Sequence, residues 1–511
     1  MHIRKLFVVL GVVIIFLTGC IRSAPGSSQV WKPGEIIPTI AIENYGVPSP
    51  TPSFKLPSTS IPGSPIFTPT PDSIHEIATQ RSGPEQYSVQ PGDTLSVIAG
   101  RYSVSLDELM IANGLMDANN IFVGQVLEIP LASPQVTGNS FKIIPDSELV
   151  NGPMSMMLDI ASFIQSKGGY LSNYHEEVEG NYLDGAQIIN LVSTNYSVNP
   201  RLLLAILEYR SGWLTNPRPE PNTLEYPIGI QDYWHVGLYR QLTWSADILN
   251  KGYYLWKVNG LNNVVLKDGS VVPLSVTINA GTAAVQFFFS NLDNYSDWLQ
   301  DISEDGLFGI YNLQFGYPFD YAIEPLIPTD LAQPRMILPF EAGQTWAFTG
   351  GPHGGWDSGS AWAALDFAPP GEAQGCVQSE AWVTAVADGL IVRSENGAVV
   401  QDLDDDGFEQ SGWVVLYMHI DLNRRIASGS YLKTGERIGH PSCEGGVSNG
   451  THVHLARKFN GEWISADGSV PFNLGGWVSS GTGREYDGFL TRGEEIIEAY
   501  DGNNVINQIQ K

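Results

Sequence analysis

The sequence predicts a chain of several domains: a small βααβ module, a mostly α-helical middle domain and a C-terminal domain of antiparallel β-sheet. The length of 511 residues is enough for two to four domains of ordinary size. Hydrophobic spacing changes along the chain from one strand–helix–helix–strand pattern to helical patterns and then to alternating strands. The 54 glycines and 33 prolines favour loops, linkers and β-structure over a helical rod.

The chain is strongly acidic. It has 27 Lys and Arg against 54 Asp and Glu, a net charge of −27. A nucleic-acid-binding protein needs a basic face to meet phosphate, so we expect no nucleic-acid partner. The sequence leaves the oligomeric state open.

The N-terminus has the pattern of an export signal. Basic residues precede an apolar run from Leu6 to Leu17, which is shorter than the roughly 20 residues that cross a bilayer. The run ends in Leu17-Thr18-Gly19-Cys20, which resembles the bacterial lipoprotein cleavage box. The resemblance implies a signal peptide at 1–19, lipid on Cys20, and an exported protein anchored to the cell membrane or envelope surface. The alternative is an ordinary signal peptide in which Cys20 is incidental.

Residues 20–85 are rich in Pro, Ser and Thr and show little hydrophobic periodicity. This composition cannot bury a core and favours extended polyproline-like chain. We predict a linker that holds the later domains away from the membrane.

Residues 86–131 carry the βααβ pattern. Thr94 and Ser105 are placed to cap two short helices, between an opening strand at 87–89 and a closing strand near 126–129. The motifs at 92–95 (Gly-Asp-Thr-Leu), 113–114 (Asn-Gly) and 124–127 (Gly-Gln-Val-Leu) resemble those of LysM domains.

That resemblance implies binding to the N-acetylglucosamine of peptidoglycan or chitin. The sugar would lie between the loop after the first strand and the loop before the last. The implied contacts are Gly92, Asp93, Thr94 and Ile121. The alternative is a structural βααβ domain that binds nothing.

The middle domain, 140–330, is predicted to be mostly helical, with a lysozyme-like fold as one alternative. The predicted helices are 153–167, 184–196, 199–213, 235–257 and 280–291. Asp268-Gly269 predicts a tight hairpin turn. The segment 198–212 resembles the catalytic helix of lysozyme-like lytic transglycosylases, but Arg210 stands where their acid precedes the serine. Glu208 would face the other way around the helix. Either the acid is lost, or it comes from elsewhere, or this is a buried Leu-rich helix.

The sequence around residue 453 reads Thr451-His452-Val453-His454-Leu455. Residues two apart in a strand point to the same face, so His452 and His454 would stand side by side. Imidazole and carboxylate both suit zinc. Alone, this pair would be interpreted as a surface feature.

The neighbouring motifs resemble zinc-dependent peptidoglycan endopeptidases of the lysostaphin and staphylolysin kind, over about 337–490 within a predicted domain at 336–495. His353 follows Gly-Gly-Pro, and Asp366 stands thirteen residues later, as in the staphylolysin branch. Asp357 offers the shorter lysostaphin spacing, but the strand and turn expected after Asp366 are present. His419 matches the strand histidine of the family.

The resemblance implies one Zn²⁺ per chain, held by His353, Asp366 and His454. Three protein ligands leave a coordination position open for water, as in catalytic zinc sites. His419 and His452 would then be the catalytic pair, one as general base and the other stabilising negative charge, with the order left open. His440 matches no ligand position and is interpreted as a packed or surface histidine.

The remaining cysteines, Cys376 and Cys443, are expected to pair. One precedes a predicted strand at 381–386 and the other precedes the His-x-His segment. In an exported chain a disulfide between these loops is the natural interpretation. No Cys-x-x-Cys spacing suggests that they bind metal.

Residues 402–407 (Asp-Leu-Asp-Asp-Asp-Gly) begin like a calcium-binding loop. Trp413 occupies the position that would need a bidentate glutamate. An acidic, solvated hairpin end is therefore favoured over calcium.

Together these features predict a membrane-anchored zinc metalloendopeptidase that hydrolyses peptide bonds in peptidoglycan cross-links or stems. The LysM domain would bind the glycan and the zinc domain the peptide. One alternative is a non-catalytic cell-wall scaffold or hydrolase activator with a degenerate peptidase domain. Another is glycan cleavage by the helical domain.

Overall fold

The structure is a computed structural model that describes residue 75 and residues 84–90, 92–102, 104–131, 138–371 and 375–511. The predicted signal peptide, Cys20 and most of the predicted linker lie outside the described residues. Within the described ranges, no helix is both long and apolar enough to cross a membrane.

The first module has the predicted βααβ order. Its elements are β1 (Glu85–Ser88), α1 (Leu95–Arg101), α2 (Leu106–Ala112) and β2 (Val126–Ile129). Thr94 caps α1, Ser105 forms a capping box with Glu108 at α2, and β1 pairs antiparallel with β2. Leu95, Ile98 and Leu109 are fully buried in a core belonging to this module.

The middle region is mostly helical, as the periodicity predicts. Its elements are α3 (Ile160–Lys167), β3 (His175–Val178), β4 (Asn181–Asp184), α4 (Gly185–Tyr196), α5 (Pro200–Ser211), α6 (Leu238–Lys257), β5 (Asn263–Val265), β6 (Val271–Pro273), α7 (Ala280–Ser290), α8 (Tyr295–Asp301) and α9 (Leu307–Phe315). The predicted helix at 153–167 begins as a 3₁₀ turn, and α3 starts only after its N-cap Asp159. The β3–β4 hairpin, α8 and α9 were not predicted; the last two are only seven and nine residues long.

The C-terminal part is built from antiparallel sheet. Its strands are β7 (Thr345–His353), β8 (Ala364–Ala368), β9 (Val383–Thr384), β10 (Gly389–Glu395), β11 (Ala398–Asp402), β12 (Trp413–Met418), β13 (Tyr431–Leu432), β14 (Arg437–Gly439), β15 (Val453–Phe459), β16 (Glu462–Trp463), β17 (Asn473–Leu474), β18 (Trp477–Gly481), β19 (Gly488–Arg492), β20 (Glu495–Glu498) and β21 (Gln508–Gln510). The main sheet of the described chain runs β13-β10-β11-β12-β15-β8-β7-β21, with β16 beside β15, and β17–β20 form a second sheet. Of the predicted strand 381–386, only β9 is regular.

The two faces of the main sheet are buried in different cores. Leu365, Val415 and Leu455 point into the core of the sheet domain itself. The alternate positions Ala364 and Ala456, one residue away on β8 and β15, belong to the same buried cluster as the helices of the middle region. The helical region therefore covers one face of the sheet, and the two share a continuous core.

Candidate metal centre

Adjacent strands of the main sheet bring three of the predicted site residues together. Asp366 on β8 and His454 on β15 are directly opposite partners in the antiparallel register. His353 is the last residue of β7, which pairs with β8 on its other side. Because side chains alternate along a strand, Asp366 and His454 lie on the face that the helical region covers further along the sheet.

The three side chains converge on one point. His353 Nε2 and His454 Nδ1 each lie 3.3 Å from Asp366 Oδ1, and these two nitrogens are 3.0 Å apart. Their possible ligand atoms all lie within 4.8 Å of one another. His353 and Asp366 are almost fully buried. Buried polar groups this close together need a partner that compensates their lost hydration.

The hydrogen bonds on the outer nitrogens fix the tautomers of both rings. His353 Nδ1 faces the Gly351 carbonyl at 2.8 Å, and His454 Nε2 faces the Gly355 carbonyl at 3.2 Å. A carbonyl only accepts, so in each neutral ring the outer nitrogen carries the proton and the inner nitrogen carries a lone pair. The buried Asp366 Oδ1 accepts no hydrogen bond from the described residues. Two lone pairs and a carboxylate oxygen facing one another fit a divalent cation such as zinc.

The electrostatics of these groups are coupled. Burial would raise the pKa of Asp366, but the adjacent His353 and His452 hold it well below its usual range. Burial likewise opposes protonation of His353, yet Asp366 raises the pKa of this ring above its ordinary value. Burial lowers the pKa of His454.

The structure also places His419 and His452 at this centre. Their ring centroids are 4.5 Å apart, and His452 Nε2 lies 3.7 Å from Asp366 Oδ1. In both rings Nδ1 faces a carbonyl, that of Glu444 for His419 and that of Gly450 for His452. Burial, with the neighbouring His452 and His454, lowers the pKa of His419 to about 3. His419 also has a positive φ of 66° just after β12, so the backbone leaves the extended strand conformation at this residue. His452 precedes β15 rather than lying within it.

Gly350 on β7 makes room for Asp366. A Cβ at this position would lie 2.8 Å from Asp366 Oδ2 and 3.0 Å from Asp366 Cβ. We expect Gly350→Ala to displace the carboxylate and to weaken the predicted zinc binding by about 10- to 100-fold, which is the typical effect of mutating a group that positions a metal ligand. Competition with a chromophoric chelator measures this. Gly260→Ala in the helical region is the control, because the nearest atom to its Cβ would be the end of the Leu255 side chain, at 3.3 Å, and no atom would lie closer. Equal zinc affinity in both variants would contradict the expected crowding.

The predicted disulfide is confirmed. Cys376 and Cys443 are bonded, with their Cα atoms 5.7 Å apart. Thr451, next to His452, donates its backbone N–H to the Gly375 carbonyl and its hydroxyl to the Val377 carbonyl. The disulfide-linked loop therefore lies directly against the His-x-His segment.

Asp357, the alternative aspartate, is not part of the cluster. Its Oδ2 accepts a hydrogen bond from the Tyr196 hydroxyl at 2.9 Å. His440 is also set apart: its Nδ1 lies 2.8 Å from the Ala381 carbonyl, and its ring packs on Trp382 at 3.9 Å. The geometry thus favours Asp366 over Asp357 and agrees with a packed role for His440.

The acidic segment forms a closed turn. Carboxylate oxygens of Asp402, Asp404 and Asp406 lie within 4.8 Å of one another. Asp402 Oδ1 and Oδ2 accept backbone N–H groups of Asp404 and Gly407. Burial and the neighbouring Asp402 raise the pKa of Asp404 to about 8. These contacts close the turn on itself, and the preference for a hairpin end over calcium stays a prediction.

The predicted glycan-contacting residues of the βααβ module serve its local structure. Asp93 Oδ2 accepts hydrogen bonds from the Tyr87 hydroxyl and the Gln90 N–H, while Thr94 caps α1. Gly92 has a positive φ of 87°, which glycine adopts without strain. Ile121 is half-buried against the module's core. Their contribution to sugar binding stays a prediction.

The helix that resembled a transglycosylase helix uses its acid structurally. Glu208 accepts hydrogen bonds from the Leu214 and Thr215 N–H groups and from the Thr215 hydroxyl. Arg210 Nη1 donates to Asp293 at 2.8 Å. Glu208 thus closes the C-terminal end of α5.

A groove of about 1300 Å³ opens beside the cluster, and its lining includes Asp366, His452 and Tyr486. The Tyr486 ring stacks on His353 with centroids 4.3 Å apart and remains half exposed. Sequence reasoning missed Tyr486, because it lies beyond the matched motifs and reaches His353 only through the fold.

In chain order, the structure has a βααβ module, a helical region and antiparallel sheet. The sheet carries the histidine–aspartate cluster. Residues 87–130 match the model of the LysM domain, and residues 142–327 match that of the N-terminal domain of LasA. The chain is therefore similar to both domains over these residues.

Two curated proteins illustrate the similarity. Protease LasA of Pseudomonas aeruginosa strain UCBPP-PA14 is 23% identical over 305 residues, covering 56% of this chain and 69% of that protein. The N-acetylmuramoyl-L-alanine amidase sle1 of Staphylococcus aureus strain MRSA252 is 26% identical over 212 residues, covering 40% and 59%. The staphylolysin-type and LysM resemblances are thereby confirmed.

Solved structures include similar chains. The deep-sea M23 metalloprotease pseudoalterin is 24% identical and covers 35% of this chain and all of that one, with a TM-score of 0.29. A zinc-containing peptidase from Vibrio cholerae is 19% identical and covers 28% and 41%, with a TM-score of 0.19.

Proposed function

We propose that this protein is a zinc metalloendopeptidase that hydrolyses peptide bonds in peptidoglycan cross-links or stems. The observation that carries the proposal is the convergence of His353, Asp366 and His454 on one point, with lone pairs directed inward. A peptidase is also the named activity of the relative LasA. One Zn²⁺ per chain is the cofactor that this donor set fits.

The catalytic roles follow from the side chains around that point. A zinc ion held there would supply Lewis acidity and lower the pKa of a bound water. His419 and His452 present their Nε2 atoms away from the carbonyls that hold Nδ1. Nε2 of one ring accepts the proton of the attacking water. The other ring donates a hydrogen bond from Nε2 to the oxyanion when both of its nitrogens carry a proton. The groove beside His452 accommodates the peptide.

The other parts of the chain bring the metal site close to the cell wall. The LysM domain at 86–131 binds wall glycan, supported by its family match and by the amidase name of sle1. The signal at 1–19 directs export, and the lipid on Cys20 and the linker at 20–85 then hold the protein outside the cytoplasm on the cell membrane or envelope. The helical domain at 140–330 adjoins the peptidase domain at 336–495.

Digestion of purified peptidoglycan, followed by mass spectrometry of the fragments, tests the activity. We expect new peptide amino and carboxyl termini with the native chain, and none after zinc is removed by a chelator. His452→Ala is the matched variant, because it removes a proposed catalytic group without removing a proposed ligand. Anhydro-sugars would indicate glycan cleavage instead, and an unchanged fragment pattern would indicate a wall-binding scaffold.

A further inference from the structure

The loop that follows β7, residues 354–360, is held by the helical region. Asp247 on α6 accepts hydrogen bonds at Oδ1 from the Gly359 N–H, at 2.6 Å, and at Oδ2 from the Ser358 hydroxyl, at 3.0 Å. The Tyr196 hydroxyl at the end of α4 donates to Asp357 at 2.9 Å. Residues of two helices therefore form hydrogen bonds with three consecutive residues of this loop.

The loop is also packed tightly against its neighbours. A Cβ on Gly359 would lie 1.9 Å from the Asp247 backbone oxygen, so the loop and α6 are in direct backbone contact. A Cβ on Gly355 would lie 2.7 Å from the Trp463 ring, whose Nε1 donates to the Tyr196 carbonyl. The position of the loop is thus set by α6 on one side and, on the other, by Trp463 of β16, which is itself bonded to the end of α4.

The same loop orients a residue of the metal cluster. The Gly355 carbonyl faces His454 Nε2 at 3.2 Å, which leaves His454 Nδ1 directed at Asp366. Gly355 is buried, and its own N–H donates to the Ala361 carbonyl across the loop. A displaced loop would remove the acceptor that sets the tautomer and rotation of the His454 ring.

We propose that Asp247 and Tyr196 of the helical region are positioning residues for the metal centre, acting through the 354–360 loop and the Gly355 carbonyl on His454. This rests on the proposed function, because it needs His454 to be a metal ligand. The helical region is then part of the working site, although it contributes no residue to the cluster.

The test compares zinc affinity in Asp247→Ala, Asp247→Asn and Tyr196→Phe with that of the native chain, by chelator competition. Asp247→Ala is expected to lower zinc affinity about 10- to 100-fold, as loss of support behind a ligand does. Asp247→Asn keeps an oxygen for Gly359 and is expected to restore affinity to within about threefold. Tyr196→Phe removes one hydrogen bond and should fall between them. Asp305→Ala, at an exposed aspartate of the same region, is the control.

Two further measurements separate positioning from stability. Thermal unfolding of the metal-free proteins should show small differences, and the visible spectrum of the cobalt-substituted Asp247→Ala variant should differ from that of the native chain. Native zinc affinity and an unchanged cobalt spectrum in Asp247→Ala would overturn the inference while leaving the proposed function intact. Failure of the native chain itself to bind zinc would overturn the proposed function, and the inference with it.

Discussion

Asp366→Ala is expected to abolish stoichiometric zinc binding and to reduce peptidoglycan hydrolysis at least about 10³-fold. Asp366 Oδ1 is the point on which His353 Nε2 and His454 Nδ1 converge, and it is the anionic member of the set. Removing it leaves two neutral rings, with no charge to offset that of a buried divalent cation. Lewis-acid catalysis supplies several kcal/mol of transition-state stabilisation, and each 1.36 kcal/mol is tenfold in rate.

Metal content by mass spectrometry and release of peptide termini from purified wall measure this prediction. The matched variant is Asp357→Ala, since Asp357 is the competing aspartate in the sequence but bonds to Tyr196 in the structure. Asp357→Ala should still bind one zinc at saturating concentration. The opposite pattern, with zinc retained in Asp366→Ala and lost in Asp357→Ala, would show that the shorter spacing is correct.

Local patterns were sufficient to predict much of the fold. The βααβ module followed from capping residues such as Ser105 and from short apolar periods, and its core lies within one short segment. All five helical segments predicted for the middle domain contain an α-helix, although the helix within 153–167 begins only at Ile160. Amphipathic periodicity is a local property, which is why it could be detected in the sequence. The short α8 and α9 were missed, since seven or nine residues give too few turns for a clear period. The equally short α1 and α2 were predicted because the motifs at 92–95 and 113–114 surround them.

The candidate site could be predicted from the sequence for a related reason. Period-two alternation places His452 and His454 on one side, and the spacing of His353 and Asp366 carries the family likeness. The supporting contacts could not be predicted in the same way. Asp247 meets Gly359 across 112 residues and Tyr196 meets Asp357 across 161. No periodicity or motif encodes such pairs, because they depend on how the helical region packs on the sheet.

The sequence predicts a domain boundary near residue 330 and gives no sign that the helical region and the sheet share a core. Ala364 and Ala456 are small residues on strands, and nothing in the sequence shows which of the two sheet faces a second domain covers. In the structure they lie in one buried cluster with the helices. The alternation of β12 makes the division clear, because Val414 and Leu416 face the helical region while Val415 faces the sheet core.

Excision of the peptidase segment 331–511 is therefore expected to give a protein that aggregates or unfolds. Val414, Leu416, Met418 and Trp463 are buried in the cluster shared with the helices. Burial of each such side chain stabilises by roughly 1.5–3 kcal/mol, so together they approach the 5–15 kcal/mol stability of a typical domain.

Polar contacts across the same interface reinforce this expectation. Glu462 beside Trp463 is almost fully buried and pairs with Lys257 and the Tyr253 hydroxyl of α6. Arg393 on β10 donates to Asn195 of α4 at 2.8 Å. Without the helices, the newly exposed apolar face would be a site of self-association.

Size-exclusion chromatography with light scattering, together with thermal unfolding, compares 331–511 with 138–511. The longer fragment lacks only the βααβ module among the described domains, and that module has its own core. The fragment 138–511 should therefore keep the association state of the full chain and unfold cooperatively. A monomeric 331–511 that unfolds at the same temperature as 138–511 would show that the helical region contributes little to the sheet. A monomeric 331–511 with weakened zinc binding would instead locate its main contribution at the 354–360 loop and His454.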